Sequence, residues 1–408
     1  MPDLLFLSQR LPFPPSKGEK IRAYHEIRYL SRWYDIHLGC LADDPADLGH
    51  IEALRPFCRS IHVALLGPHT ARCNCLLGLL TGQPLSVAWF RNKGLATWVR
   101  DVVERVRPVV TFVYSSNMAP YVLDLPRASV RIADLVDVDS EKWRALAETA
   151  RGPMRWIYRR EQRKIAELER QAVAACDLSL FVSDAEAALF ARQVQGHAGR
   201  IRGIGNGVDH RFFDPEMRFA APFDAAVPNF VFTGTMDYRP NIDAVTWFAA
   251  DILPLIRQSL PAARFCIAGS NPAPAVRRLA QTPGITVTGR VPDVRPYLAH
   301  ATACVAPMRV ARGVQNKVLE AMAMARPVVL TSGALEGISA TPEREVLLAD
   351  TSHGFAEACC RLADPAVGGA IGAAARARVI SDHDWDAMLR PLNRLLRPVS
   401  SPLLTEPA

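Results

Sequence analysis

The sequence predicts an α/β fold with two doubly wound parallel sheets, one in each half of the chain. Three observations predict it. Short apolar, β-branched runs alternate with longer stretches of helical period, as βαβ units require. The 408 residues exceed what one hydrophobic core usually organises. Irregular, proline-containing sequence at residues 213–228 separates two series of such runs.

In the first series the expected strands are residues 4–8, 36–41, 61–66, 109–114, 130–135 and 178–182. Helical patterns lie between most of them, notably 20–33 and 153–174, where Pro153 suits a first turn. The second series has expected strands at 230–233, 264–268, 285–288, 303–307, 327–330 and 346–348, with a strong helical pattern at 242–259. A final helical stretch, 384–396, follows the complete second sheet and is free to pack back across the hinge. The expected domains are therefore 1–210, joined by a C-terminal helix 382–398, and 211–381.

Composition sets the class. The chain is 49% hydrophobic and 22% charged, which is ordinary for a globular protein. It has no internal period or low-complexity block, which argues against a solenoid or a disordered chain. A net charge of +7 favours acidic partners such as phosphates, anionic lipid headgroups or nucleic acid. One basic run stands out: Arg151, Arg155, Arg159, Arg160, Arg163 and Lys164 fall on one side of a helix. Its plain reading is a solvated face paired with Glu161 and Glu167; the sharper one is docking on an anionic membrane.

The nine cysteines show no zinc or thioredoxin spacing. The N-terminus has no basic region before its short apolar stretch, and no run is long enough to span a bilayer. A reducing, cytoplasmic setting is expected, with peripheral contact at the inner membrane left open.

Ligands of open parallel sheets bind beyond the carboxyl ends of the strands, so the residues just after each strand carry the information. After the first strand, a proline-stiffened loop ends in Lys17 and Gly18 at a helix start, serving either as a simple connection or as an anion site. It is neither a GxGxxG fingerprint nor a Walker A motif. The second series opens with Gly234 and Arg239 between a strand and a helix, a phosphate cradle by composition, with Asn241 as the expected N-cap. The plain alternative is that Arg239 pairs with Asp237 or Asp243.

The most informative stretch, 305–329, reads as strand, glycine loop, short amphipathic helix and strand. Lys317 and Glu320 are three apart and share a helix face. Together they suit a diphosphate and a ribose diol, although an isolated pair of this kind is also common as a surface ion pair.

Here the sequence resembles glycosyltransferase family 4, the retaining GT-B enzymes. The pattern of Pro307, Gly313, Glu320-Ala321-Met322-Ala323 and Pro327-Val328-Val329 is similar to that family's donor-site signature. Supporting pieces recur in family order: Val182-Ser183-Asp184-Ala185-Glu186, Asn206-Gly207-Val208-Asp209, Ala268-Gly269, Gly289-Arg290-Val291-Pro292-Asp293 and the late Trp385. Within the family, Gln9-Arg10-Leu11-Pro12-Phe13-Pro14-Pro15, residues 134–140 and residues 311–317 resemble a subgroup of sugar transferases. That subgroup is associated with exopolysaccharide and PEP-CTERM/exosortase systems of Gram-negative bacteria.

The resemblance implies two Rossmann-like domains facing a cleft, the first binding the acceptor and the second the nucleotide-sugar donor. It implies a hexosyltransferase-type activity from a UDP- or GDP-sugar to a glycan or lipid-linked acceptor. Cofactor, metal and nucleic acid have no part in this expectation. Arg239 and Lys317 match the diphosphate-stabilising positions, and Glu320 the ribose-binding position. Gly18 matches the loop of the first domain that approaches the donor phosphates, and the backbone of Arg290 and Val291 lies against the base. Position 312 should hold the first Glu of a Glu-x7-Glu motif and holds Arg312 instead. That departure leaves sugar recognition either to an arginine suited to an acidic sugar or to the loop backbone at Gly313, Val314 and Gln315. Lys17, Asp137 and Asp139 are candidate contacts to the acceptor or the sugar, and the two aspartates are equally suited to turn formation and capping. A nucleotide-sugar epimerase or hydrolase, and a non-catalytic sugar-nucleotide binder, are the rival readings.

Overall fold

The computed structural model describes residues 1–396, apart from residues 16, 17, 128, 195, 225 and 312. The chain divides into two compact units. One comprises residues 1–205 with those from 389 onward, and the other residues 206–388. Among the described residues, no helix is long and apolar enough to cross a membrane.

The first unit holds a seven-stranded sheet. Its strands are β1 (Asp3–Ser8), β2 (Asp35–Ala42), β3 (Ser60–Leu65), β4 (Val110–Tyr114), β5 (Val130–Val136), β6 (Leu178–Phe181) and β7 (Ile201–Gly203). All pairs are parallel, in the order β3-β2-β1-β4-β5-β6-β7. The order reverses between β1 and β4, so their carboxyl ends flank a switch point. β7 is missing from the expected strands, because three residues that include Arg202 and Gly203 give no apolar run.

Two residues at this edge have a backbone that L side chains rarely adopt. Ser115, just after β4, has φ 80°, and Val136, the last residue of β5, has φ 67°. The Asp134 carboxylate accepts from the Val136 N–H at 2.9 Å, and Asp137 N–H donates to the Leu135 carbonyl at 2.8 Å. These bonds hold the turn that leads into the helix Asp139–Thr149.

The second unit holds β8 (Asn229–Thr233), β9 (Arg264–Ala268), β10 (Ile285–Gly289), β11 (Ala303–Ala306), β12 (Val328–Leu330) and β13 (Leu347–Leu348). They pair in parallel in the order β10-β9-β8-β11-β12-β13, with the switch point between β8 and β11. β8, β11 and β12 are fully buried and read as unbroken apolar runs, because helices cover both faces of such a sheet. Phe230, Phe232, Phe248, Phe265 and Phe355 fill the core without exposure.

Two expectations are corrected here. The 242–259 helix is three pieces: Arg239–Trp247, a π-helical turn Phe248–Ile252, and Leu253–Ser259. Pro254 has no N–H to give the preceding turn, and the wider turn absorbs that loss. Asn241 is not the N-cap. Tyr238 caps the first helix without a side-chain bond, and Asn241 lies buried inside the first turn.

The resemblance pieces at 206–209 and Trp385 meet within the second unit. The Val208 N–H donates to the His383 carbonyl at 2.8 Å. A Cβ on Gly207 would fall 2.8 Å from the Trp385 backbone, so only glycine fits.

Candidate active site

The second unit's site grows out of three glycine loops at the carboxyl ends of neighbouring strands. Gly234 follows β8 with φ 155°. Its N–H donates to the Ala268 carbonyl at 3.2 Å, and the Gly269 N–H donates in turn to the Gly289 carbonyl at 3.2 Å. The loops after β8, β9 and β10 are thereby linked through their backbones. A Cβ on Gly269 would come within 1.7 Å of the Gly234 carbonyl oxygen, so the approach is possible only without side chains.

Beyond Gly234 the chain enters the helix that begins at Arg239. Arg239 is exposed. The two carboxylates nearest to it in sequence are engaged elsewhere: Asp243 pairs with Arg309, and Asp237 accepts from Asn271 at 3.3 Å. Pro240 has no N–H, and the Asn241 and Ile242 N–H groups both donate to the Tyr238 carbonyl at 3.0 Å, so what this helix start offers an anion is chiefly the Arg239 guanidinium and the positive end of the helix dipole.

On the other side of the switch point, β11 runs into Pro307 and the buried Met308. The Met308 carbonyl accepts from the Thr331 hydroxyl at 2.8 Å. Gly313 takes φ 65°, and Gln315 donates from its side chain to the Gly313 carbonyl at 3.2 Å before the helix Asn316–Ala323 begins. Val318, Leu319, Ala321, Met322 and Ala323 bury the core side of that helix, which leaves Lys317 and Glu320 half-buried on the other.

Lys317 reaches across the switch point. Its Nζ donates to Asn241 Oδ1 at 2.7 Å, lies 4.5 Å from the centre of the Phe232 ring and 3.9 Å from Met308 Sδ. Asn241 donates its own amide to the Thr235 carbonyl at 2.9 Å, so one side chain holds both the lysine and the loop after β8. Burial pushes the Lys317 ammonium down to about 7, partly offset by Glu320, and pushes the Glu320 carboxyl up to about 7, partly offset by Lys317. An ammonium in so enclosed a place gains strongly from an arriving anion.

The structure brings Gly234, Arg239, Gly313, Val314, Gln315, Lys317 and Glu320 to the carboxyl ends of β8 and β11, with Arg290 and Val291 at that of β10. Arg290 is exposed and Val291 half-buried. Lys17 and Arg312 lie outside the described residues.

The first unit holds the remaining candidates. Gly18 opens the helix Gly18–Leu30. Asp137 and Asp139 share Lys142, at 2.8 and 3.1 Å, and Asp139 also accepts from the Ser116 hydroxyl at 2.8 Å. Sequence reasoning missed their neighbours: the Gln9 carbonyl oxygen accepts from Ser115 Oγ at 2.8 Å and from Asn117 Nδ2 at 3.2 Å. A signal existed, since Gln9 follows β1 directly and Ser115 follows β4. The partner of Lys317 was missed too, and no local pattern points from Lys317 to Asn241.

Comparison with known proteins agrees with this geometry. Residues 227–364 match the family model described as Glycosyl transferases group 1. No curated protein matches the chain in sequence. Sucrose-phosphate synthase from Thermosynechococcus elongatus superposes with a TM-score of 0.69 at 18% identity, covering 98% of this chain and 99% of that one. Anabaena HepE, in complex with UDP and glucose, gives 0.65 at 14% identity, covering 97% and 100%. A variant of S. aureus TarM, in complex with fondaparinux, α-GlcNAc-glycerol and UDP, gives 0.67 at 10% identity, covering 98% and 100%. The chain thus carries a glycosyltransferase group 1 domain within a GT-B fold of two Rossmann-like domains, the equipment of an enzyme that transfers glycosyl groups.

Proposed function

We propose that the protein is a retaining glycosyltransferase of family 4, moving a sugar from a UDP- or GDP-sugar to a glycan or lipid-linked acceptor in exopolysaccharide synthesis. Its place is the cytoplasm, at the inner face of the membrane. One observation carries the chemistry: Lys317 bridges the β8–β11 switch point to Asn241, with Glu320 one helical turn on. A cation there meets a diphosphate, and a carboxylate a turn away accepts from a ribose diol.

In the reaction, the bond between the donor's anomeric carbon and its phosphate oxygen breaks while the acceptor oxygen bonds to that carbon. The acceptor's proton passes to a phosphate oxygen of the donor, which leaves as the nucleoside diphosphate. Negative charge grows on the leaving oxygen. Lys317, held by Asn241, is in place before the charge appears and so lowers the barrier without reorganising, and Arg239 at the start of its helix adds a second cation. The glycine loops let the backbone approach the phosphates closely.

The test is release of UDP or GDP from a panel of nucleotide sugars, with and without glycan and lipid-linked acceptors. Release that requires acceptor is expected. Lys317→Ala and Glu320→Ala should each lower turnover at least about tenfold, roughly 1.4 kcal/mol of transition-state stabilisation. Release without acceptor would favour a hydrolase. Sugar interconversion without release would favour an epimerase, and tight donor binding without either would favour a carrier.

A further inference from the structure

The helix Pro68–Thr81 of the first unit leaves its leucines in solvent. Leu80 is 85% exposed, Leu76 64% and Leu77 58%, while only Ala71 and Gly78 are buried. Leu76 and Leu80 are four apart and lie on the face opposite Gly78. So many large apolar side chains on one helix is not what a freely soluble surface shows.

The helix is rigidly mounted. Arg160, from the helix Gly152–Ala175, donates to the carbonyls of Gly78 and Gln83, both at 2.9 Å. Glu161 beside it pairs with Arg160 at 2.7 Å and accepts from the Leu85 N–H at 2.7 Å. Trp156, 60% exposed, stands one turn before Arg160 on the same side of its helix, next to the leucines' mount. Arg155, Arg159 and Arg163 form an exposed stripe on the adjoining face.

The chain that forms this platform is basic. Residues 60–100 contain no Asp or Glu, and Arg72 lies in the leucine helix with Arg91 and Lys93 shortly after it. Between Glu148 and Glu161 the only charged residues are Arg151, Arg155, Arg159 and Arg160. A leucine face flanked by arginines, with a tryptophan at its margin, matches the interior, the headgroups and the boundary of an anionic bilayer in turn. Apposing two copies would set these cations against each other.

We infer that the helix Pro68–Thr81, together with Trp156 and the arginine stripe of the helix Gly152–Ala175, is a docking surface for anionic lipid bilayers. The inference rests on the proposed inner-membrane setting, and it assigns that contact chiefly to the leucine helix, with the basic run as its flank.

The test is flotation of the full chain with vesicles of phosphatidylethanolamine and phosphatidylglycerol, and with vesicles of phosphatidylcholine alone. Each preparation also has its melting shift measured with UDP and GDP, which reports the donor site separately. The wild type should float with the anionic vesicles and not with the neutral ones. The double variant Leu76→Asp/Leu80→Asp should lose at least about tenfold of that association, and Arg155→Glu/Arg159→Glu should weaken it at low salt, with the nucleotide shift kept in both. No association with anionic vesicles, or association untouched by the leucine pair, overturns the inference whatever the nucleotide result. So does a wild-type dimer in sedimentation that the leucine pair converts to monomer, which would assign the face to a second copy. Loss of the nucleotide shift alone would count against the donor site and not against docking.

Discussion

Lys317 and Asn241, 76 positions apart, meet at 2.7 Å, and this bond ties the helix after β11 to the helix after β8. Asn241 is buried and spends its other polar atom on the Thr235 carbonyl. Asn241→Ala should leave both partners unpaired, lowering stability by about 1 to 3 kcal/mol and raising the KM for donor more than it lowers kcat. Denaturant unfolding and steady-state kinetics check it. A variant with wild-type KM would remove Asn241 from the site.

The pH behaviour of nucleotide binding should expose the same pair. Lys317, pushed down to about 7, loses its charge as pH rises through that point, whereas Glu320, pushed up to about 7, loses its charge as pH falls through it. Holding a diphosphate requires the charged lysine, and Glu320 helps keep it charged. In Glu320→Gln the opposing titration is gone and the lysine's own midpoint drops further. Affinity for UDP should then fall with rising pH from below 7, approaching tenfold per unit. Lys317→Arg keeps its charge throughout and should flatten the slope. Calorimetric titration across this range reads both, and a flat profile in Glu320→Gln would mean that another cation holds the phosphates.

Gly269→Ala should abolish the melting shift given by nucleotide, because its Cβ would drive into the Gly234 carbonyl oxygen and push the loop after β8 away. Gly369, exposed in the helix Pro365–Asp382 with open space around it, is the contrast. Gly369→Ala should stabilise by roughly 0.5 to 1 kcal/mol and leave nucleotide binding alone. Thermal melts with and without UDP compare the two.

Within the basic run, Arg160 differs from its neighbours. It is 8% exposed and its partner Glu161 is fully buried, whereas Arg159 and Arg163 face solvent. Arg160→Ala leaves the buried Glu161 carboxylate with the Leu85 N–H but without its cation and should cost about 3 to 5 kcal/mol, while Arg159→Ala should change unfolding little. Equal effects in denaturant titrations would make Arg160 an ordinary surface residue.

The amino-acid sequence by itself determined the alternation of buried runs and helical periods, the glycine loops after β8 and β11, and the three-residue spacing of Lys317 and Glu320. These are local properties: periodicity, the absence of a side chain and helix pitch are all written in neighbouring residues. What only the tertiary structure decided depends on strand order. Because β11 inserts beside β8, Lys317 finds Asn241; because β9 lies against β8, Gly269 must stay bare under the Gly234 carbonyl. The same holds for charge. Arg160 and Arg159 are alike in a sequence, and one is buried only because the end of the leucine helix offers its carbonyls to that side. Pairing across long loops follows from how crossovers pack, and no window along the chain contains both partners.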